Sequence, residues 1–291
     1  MHKHSKELVS TFSIVGYDPE TEELGVAVQS KFLGVGSVVP WAKAGVGAVA
    51  TQSLANPSYG PYGIVLMDQG MPPQEAIEFL TKDDPEHSMR QVGMVNAKGE
   101  AATFTGENCY NWAGGVTGTN YAAQGNILVG EETVHAMSTT FETSEGSLAD
   151  RLLAALQAGQ SAGGDKRGKQ SAALYVVKEH GGYGGYNDRY IDLRVDEHDE
   201  PIKELDRIYR LQQLYFGTTK SENIAEIEGD VKEELLQQLK RLEYLPTVHV
   251  ADNILHKAFT AFIHQENFEE RELEQGKIDL EVLNFMKNKR V

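Results

Sequence analysis

The spacing of apolar residues changes once along this 291-residue chain, and that change limits the fold more than any other feature. Up to about Leu174, short Val/Ala/Gly-rich runs alternate with period two, which is typical of strands. From Pro201 onwards, apolar residues recur at helical spacing. Glycine follows the same division, with 26 residues before Phe216 and three after it. The sequence therefore predicts a sheet domain up to residue 216 and a helical domain over 217–291.

The first domain begins with a predicted hairpin. Thr11–Tyr17 and Leu24–Gln29 flank an Asp18-Pro19 turn, in which proline favours the second turn position. Further strands are predicted at 46–51, 91–95, 101–105, 171–177 and 190–195, and helices at 74–81, 131–141 and 147–156. Ser147 is a candidate N-cap of the last helix. Strands followed by two helices and more strands favour a two-sheet sandwich with helices packed outside it.

The second domain is predicted to be a small all-α bundle. Its helical patterns lie at 231–242, 254–263 and 278–286, and a further helical pattern over 202–215 ends the first domain. His249, His256 and His264 could suggest a metal centre, but no cysteine or carboxylate lies at ligand spacing from them. Packing or solvation is the favoured role of these histidines, and neither a metal nor a cofactor is predicted.

Charge and cysteine usage narrow the functional classes. The chain has 27 basic and 43 acidic side chains, a net charge of −16, which disfavours nucleic acid and anionic membranes as partners. A lone cysteine, Cys109, fits a reducing compartment, and a catalytic thiol is the less favoured role for it. No apolar run has the length of a signal peptide or a membrane span. We therefore expect a soluble, cytoplasmic protein.

Two polar segments could carry chemistry. One is the loop over 162–171, which contains Gly163-Gly164-Asp165 and ends at Ser171. It could present backbone N–H groups at a sheet end, or it could be a solvated connection. The other is the first strand, where Thr11 and Ser13 place hydroxyls on one face. A threonine that is the first residue of a mature chain can use its own amine as base, but ten residues precede Thr11.

Several long motifs resemble one known family. They include Thr11-Phe12-Ser13-Ile14-Val15, the segments 25–32, 38–52, 90–93, 124–126 and 158–160, Gly163-Gly164-Asp165-Lys166-Arg167-Gly168-Lys169-Gln170-Ser171, and 192–196. This set is similar to domain-of-unknown-function family 1028, over roughly Thr11 to Leu214. The resemblance implies an α/β (α+β) fold, the four-layer αββα sandwich of N-terminal-nucleophile (Ntn) hydrolases, followed by the helical bundle. It implies no established substrate.

The resemblance also implies site residues. Thr11 lies where related sequences begin, so residues 1–10 are interpreted as an extension and Thr11 as the candidate nucleophile. Lys31 or Lys43 corresponds to the lysine of Ntn enzymes, and Asp165 and Ser171 to their late Asp and Ser. Polar and glycine residues of the same motifs are expected to contact a ligand: Ser13, Ser30, Gln52, Gln124, Asn126, Gly164, Arg167 and Gly168. Two departures are Gln29-Ser30, where an acidic residue is usual, and the Ser10-Thr11 junction.

The tail resembles a second pattern. Residues 267–271 and Gly276-Lys277-Ile278-Asp279-Leu280-Glu281-Val282-Leu283 are similar to a small helical module called a peptidoglycan-binding domain. A helix bundle that serves docking or oligomerisation is an equally favoured interpretation of this tail. Three hypotheses follow from the two resemblances. The chain hydrolyses a small amide or peptide bond through Thr11; it is an inactive Ntn-fold ligand binder or oligomeric scaffold; or it binds peptidoglycan fragments through its C-terminal helices. A homodimer is the expected assembly.

Overall fold

A computed structural model describes residues 11–290 of the chain. The predicted extension over 1–10 lies outside the described residues. The chain forms two compact units, one up to Asp206 and the other from Arg207. This division falls earlier than the predicted boundary at Phe216. The reason is that Leu214 and Tyr215, late in the same helix, pack against the core of the second unit.

Antiparallel strands build the first unit. These strands are β1 (Thr11–Asp18), β2 (Glu23–Ser30), β3 (Pro40–Lys43), β4 (Gly47–Ser53), β5 (Arg90–Asn96), β6 (Ala101–Thr105), β7 (Gly114–Gly118), β8 (Tyr121–Asn126), β9 (Ser171–Val177) and β10 (Arg189–Val195). Six of them form a sheet in the order β10-β9-β2-β1-β8-β7, and the other four form a sheet in the order β3-β4-β5-β6. The predicted hairpin is confirmed, because Thr11 to Asp18 pair in register with Ser30 to Glu23.

Four helices cover the two sheets. They are α1 (Tyr59–Asp68), α2 (Pro73–Lys82), α3 (Glu132–Thr143) and α4 (Leu148–Ser161). Helices α3 and α4 contact the six-stranded sheet, whereas α1 and α2 contact the four-stranded one. The two sheets contact each other through β1, β2 and β8 on one side and β4 and β5 on the other. The layers therefore follow the order αββα, as the fold prediction required.

The core of the first unit lies on both faces of its central strands. Val15, Val26 and Val28 of one sheet pack with Ala48 and Ala50 of the other, all fully buried. The opposite faces of the same strands meet the helices, so both faces of the central strands are buried. The predicted cap of α4 is confirmed. The Ser147 hydroxyl accepts from the backbone N–H of Asp150, and the Asp150 carboxylate accepts from the N–H of Ser147, a reciprocal capping box.

The second unit contains helices and one small ribbon. Part of helix α5 (Pro201–Phe216) joins α6 (Gly229–Arg241), α7 (Asp252–Gln265) and α8 (Leu280–Asn288), and β11 (Ile224–Glu226) pairs with β12 (Lys277–Asp279). Ile278, the predicted start of the last helix, therefore lies in a strand. Phe262 and Phe268 are fully buried in the centre of this unit. No helix between residues 11 and 290 is both long and apolar enough to cross a membrane.

Candidate functional site

Four predicted site residues meet at one end of the six-stranded sheet. Thr11, the first residue of β1, lies opposite Ser30 of β2 on one side and opposite Asn126 of β8 on the other. Ser30 in turn lies opposite Ser171, the first residue of β9. All four residues are fully buried. Strand register thus gathers hydroxyl and amide side chains that are far apart in sequence.

Hydroxyl groups link three of these strands. The Thr11 hydroxyl donates to the Ser30 hydroxyl, with 3.2 Å between the oxygens. Ser171 instead orders the segment after β2, because its hydroxyl donates to the carbonyl of Phe32 at 2.5 Å and accepts from the N–H of Val35 at 3.1 Å. Ser30 is therefore the neighbour that orients the candidate nucleophile, while Ser171 supports the chain that follows Ser30.

A buried amide cluster lies between the two sheets beside Thr11, and we define it as Gln52, Gln91, Gln124 and Asn126. Gln52 accepts from the Ser13 hydroxyl at 2.6 Å and donates to the Gln91 side chain at 2.8 Å. Gln124 donates to the Ser13 hydroxyl at 2.7 Å, and Asn126 donates to the Gln91 side chain at 3.0 Å. Gln91 donates to the carbonyl of Gly125 at 2.7 Å. These bonds fix the position of β1 relative to β4, β5 and β8.

One glycine and two left-handed backbone positions accommodate the amide cluster between the sheets. Gly93 leaves room for the Gln124 amide, because a Cβ there would lie 1.9 Å from Oε1 of Gln124 and would force that side chain to move. The backbone also turns sharply just beyond Gln52 and Asn126, where Ser53 and Ile127 have φ values of 68° and 52°. A left-handed conformation is unusual for a β-branched residue such as Ile127, and such outliers concentrate at functional sites.

Asp165 stabilises the same end of the sheet from the loop before β9. It is 3% exposed, and its carboxylate accepts from the backbone N–H of Lys31 at 2.9 Å. The Arg167 guanidinium pairs with this carboxylate at 3.1 Å. Gly164 donates its N–H to the hydroxyl of Thr133, and Gly168 has a φ of 111°, a conformation that favours glycine. The loop thus anchors the chain where β2 ends, and Asp165 acts there through the backbone of Lys31.

The two candidate lysines do not point to Thr11. The Lys31 ammonium donates to the carbonyl of Lys169 at 3.2 Å. Lys43 pairs with Asp68 at 2.7 Å and lies opposite Gly47. Gly47 is five residues along β4 from Gln52, about 16 Å at ~3.3 Å per residue, so Lys43 lies at the other end of its sheet.

Cys109 is a structural residue. Its side chain is buried, and its thiol donates to the carbonyl of Arg90 at 3.3 Å. Burial raises the pKa of the Cys109 thiol above its ordinary value, which disfavours the reactive thiolate.

His264 pairs with Glu272 at 2.9 Å. Between residues 11 and 290, no group of three His, Cys, Asp or Glu residues could hold a metal ion.

Arg90 anchors the entry to β5, one residue before Gln91. Its guanidinium donates to Asp84 at 2.8 Å and to the carbonyl of Leu54 at 2.5 Å, and Tyr59 donates to Asp84 at 2.7 Å. Burial by itself would raise the pKa of Asp84, but the hydrogen bonds from Arg90 and Tyr59 more than offset it and hold this pKa well below the ordinary range. Burial of the Tyr59 hydroxyl and its hydrogen bond to the Asp84 carboxylate together raise the pKa of Tyr59.

Gln91 is the residue that sequence reasoning missed as part of the site. It lies in a motif of the family resemblance, Arg90-Gln91-Val92-Gly93, but it is not among the predicted ligand contacts, which do include its hydrogen-bond partners Gln52 and Asn126. A usable signal was present. Gln91 and Gly93 alternate on one face of an otherwise apolar strand, a combination that indicates a buried polar contact with room for another side chain.

The fold and the site define a class of protein: an αββα sandwich with a buried hydroxyl and amide site at the start of its first strand. Comparison with known families identifies the family to which the chain belongs. Residues 11–205 match a family described as "Family of unknown function (DUF1028)", and the chain belongs to this family. Residues 215–286 match a module described as "Putative peptidoglycan binding domain".

A solved structure supports the assignment. The crystal structure of a DUF1028 family protein from Silicibacter pomeroyi matches with a TM-score of 0.65 and 30% sequence identity. The match covers 77% of this chain and 89% of that one. No curated protein matches the sequence.

Proposed function

We propose that the chain hydrolyses an amide or peptide bond, with the Thr11 hydroxyl as nucleophile once residues 1–10 have been removed. The observation that carries this proposal is the position of Thr11. It begins a central strand of the sheet, and its buried hydroxyl is oriented by Ser30. The αββα layer order and the family resemblance to Ntn hydrolases support the same chemistry, as an analogy of fold.

Removal of residues 1–10 supplies the base that the reaction needs. While Ser10 is attached, the nitrogen of Thr11 is part of a peptide bond and cannot accept a proton. A free α-amine has a pKa of about 7.7–8 and can take the proton of the Thr11 hydroxyl as its oxygen attacks the amide carbonyl. The same proton then leaves with the amine product, and water hydrolyses the resulting ester and regenerates Thr11.

The neighbours of Thr11 have positioning roles in this proposal. Ser30 accepts the hydrogen of the Thr11 hydroxyl, and the Gln52 side-chain amide lies 3.4 Å from the Thr11 carbonyl oxygen. Asp165 and Ser171 hold the chain just beyond Ser30. The amide cluster contains no ionisable group. Near neutral pH, the proposal therefore expects the rate to follow the ionisation of the Thr11 amine.

Intact mass and covalent labelling test the proposal. Purified protein is analysed by mass spectrometry for loss of residues 1–10 and then treated with a β-lactone, an electrophile that acylates nucleophilic hydroxyls. Labelling at Thr11 is expected only in the shortened chain. Thr11→Ala should abolish it, while Thr11→Ser should retain it as the matched control. A chain that stays intact, or labelling that survives in Thr11→Ala, contradicts the proposed mechanism.

A second candidate function is ligand binding without hydrolysis. Both candidate lysines are engaged away from Thr11, so hydrolysis would depend on release of the Thr11 amine, whereas ligand binding would not. A persistent Ser10-Thr11 bond, together with a thermal midpoint raised by small amides in a screen, would favour this candidate over hydrolysis. A homodimer is part of both proposals, and light scattering that gives the mass of one chain would contradict it.

The C-terminal unit is proposed to bind peptidoglycan fragments. It contains a groove of about 220 Å³ whose walls include Phe259 and Ile263 and whose rim carries Lys257, Glu272 and Lys277. Such a groove can accommodate a short peptide with charges of both signs. Full-length protein should co-sediment with peptidoglycan sacculi, and Lys257→Glu should weaken this binding. Equal recovery in the pellet with and without sacculi would contradict the proposal.

A further inference from the structure

An open groove lies at one lateral edge of the first unit, away from the amide cluster. It has a volume of about 210 Å³ and lies where the edge strand β3 meets β9 and the edge strand β10. It is lined by two arginines, an aspartate, two aromatic residues and four small residues: Arg189, Arg194, Asp192, Trp41, Tyr175, Gly36, Pro40, Ala42 and Ala173.

A shift in the strand register of β10 brings Arg189 into the same groove as Arg194. Arg194 lies opposite Ala173 and Asp192 lies opposite Tyr175, so both follow the face that β9 turns towards the other sheet. The register then shifts between Arg189 and Ile191, and Arg189 lies opposite Val177 on that same face. In a regular strand, Arg189 and Arg194 would point to opposite faces because their numbers differ by five. Bulges of this kind redirect side chains and are common beside active sites.

The floor of the groove is kept open by small residues. A Cβ at Gly36 would lie 2.7 Å from the Cβ of Ala173 and 2.9 Å from Cγ of Arg194. A larger residue at position 36 would therefore displace the Arg194 side chain. Ala42 and Ala173 add further small side chains to the lining.

Both guanidinium groups are oriented and still accessible. Arg189 pairs with Asp192 at 3.2 Å, and Arg194 pairs with Asp196 at 2.9 Å. The arginine side chains remain 64% and 38% exposed. A guanidinium has five N–H donors in a planar fork, so one carboxylate partner leaves donors for a second. Two oriented forks beside the Tyr175 ring fit an anionic ligand that carries an apolar group.

We infer that this groove binds a small ligand with a carboxylate next to an aromatic or bulky apolar group. The carboxylate contacts Arg189 and Arg194, and the apolar part packs against the Tyr175 ring. The inference does not depend on the proposed hydrolysis, because binding is measured directly.

The test uses hippurate, an N-benzoyl amino acid with one carboxylate, and its neutral amide as the matched ligand. Calorimetric titration of the full-length protein should detect hippurate at a Kd of about 1 mM or below, with the neutral amide at least ~10-fold weaker. This comparison requires no variant.

Variants locate the site. Arg189→Gln and Arg194→Gln should each weaken hippurate at least ~10-fold. Lys82→Gln removes the same charge from the exposed end of α2 and should have no effect. Circular dichroism verifies that each variant is folded, and Arg194→Lys keeps the charge without the fork and should bind at an intermediate level. No binding at ~10 mM hippurate, equal binding of the neutral amide, or unchanged binding in both arginine variants overturns the inference.

Discussion

Gly93 provides the sharpest test of the amide cluster, because a single methyl group should disrupt it. In Gly93→Ala the new Cβ would lie 1.9 Å from Oε1 of Gln124 and 2.5 Å from its side-chain carbonyl carbon. The Gln124 amide then has to move. It donates to the hydroxyl of Ser13 at 2.7 Å and to the carbonyl of Ser13 at 3.2 Å. Both acceptors are buried, so no water can replace the amide without further rearrangement.

The expected cost follows from those two contacts. A buried polar group left without its hydrogen bond costs about 1–3 kcal/mol, so Gly93→Ala should lower the free energy of unfolding by roughly 2–5 kcal/mol. That is a large part of the ~5–15 kcal/mol typical of a folded domain. At a typical urea m-value of ~2 kcal/mol/M, the unfolding midpoint should fall by about 1–2.5 M.

Urea unfolding followed by tryptophan fluorescence measures this loss in the correct unit, because Trp41 and Trp112 both lie before Asp206. The matched control is the same substitution in a Gln124→Ala background, where the clash has been removed. There Gly93→Ala should cost less than ~1 kcal/mol, since alanine is itself favoured over glycine in a strand by about 0.5–1 kcal/mol. A cost that is the same in both backgrounds, or a Gly93→Ala variant as stable as the parent, would refute the reasoning.

Three further predictions concern stability. The hydrogen bonds that depress the pKa of Asp84 stabilise the fold at pH values above the ordinary pKa of a carboxyl group. This stabilisation is lost as the pH falls below about 4, so the urea midpoint of the parent should drop there more steeply than that of Asp84→Asn. Equally steep drops in the two proteins would contradict the prediction. Glu22→Gly should raise stability by up to ~1 kcal/mol because Glu22 is exposed with a φ of 58°, whereas Glu20→Gly in the same turn should not. Ser147→Ala should cost about 1 kcal/mol through the lost cap of α4, and Ser161→Ala at the other end of α4 should cost less; equal thermal shifts would count against the cap.

Much of the architecture could be predicted from local patterns. The β1–β2 hairpin has a proline turn between two alternating runs, and α4 has its cap in the sequence. Strands β7 and β8 and helix α1 were not predicted. β7 contains three glycines, which strands usually avoid, and its pairing with β8 overrides that preference. Pro61 argues against a helix at α1 in the sequence pattern. It is nevertheless compatible with one, because it lies in the first turn, where the backbone N–H has no partner within the helix.

The candidate site was predictable as a set of residues but not as an arrangement. The motifs identified Thr11, Ser30, Asn126 and Ser171, and the strand register places these four side by side. Which lysine, if either, approaches Thr11 depends on the stacking of the two sheets. The role of Gln91 depends on the same stacking, because its side chain bonds to groups on β4, β6, β7 and β8. Local sequence can indicate that Gln91 makes a buried polar contact, but it does not identify the partners.

The register of β1 has a consequence for how a new chain terminus would behave. Thr11 is paired with a neighbouring strand on each side at the very first residue of β1. A terminus created by cleavage before Thr11 would therefore inherit a fixed position, and little conformational entropy would remain to be lost when a substrate arrives. Activation of such a protein would require the breaking of one bond and no rearrangement of the sheet. The cleavage event itself would then be the step at which activity is controlled.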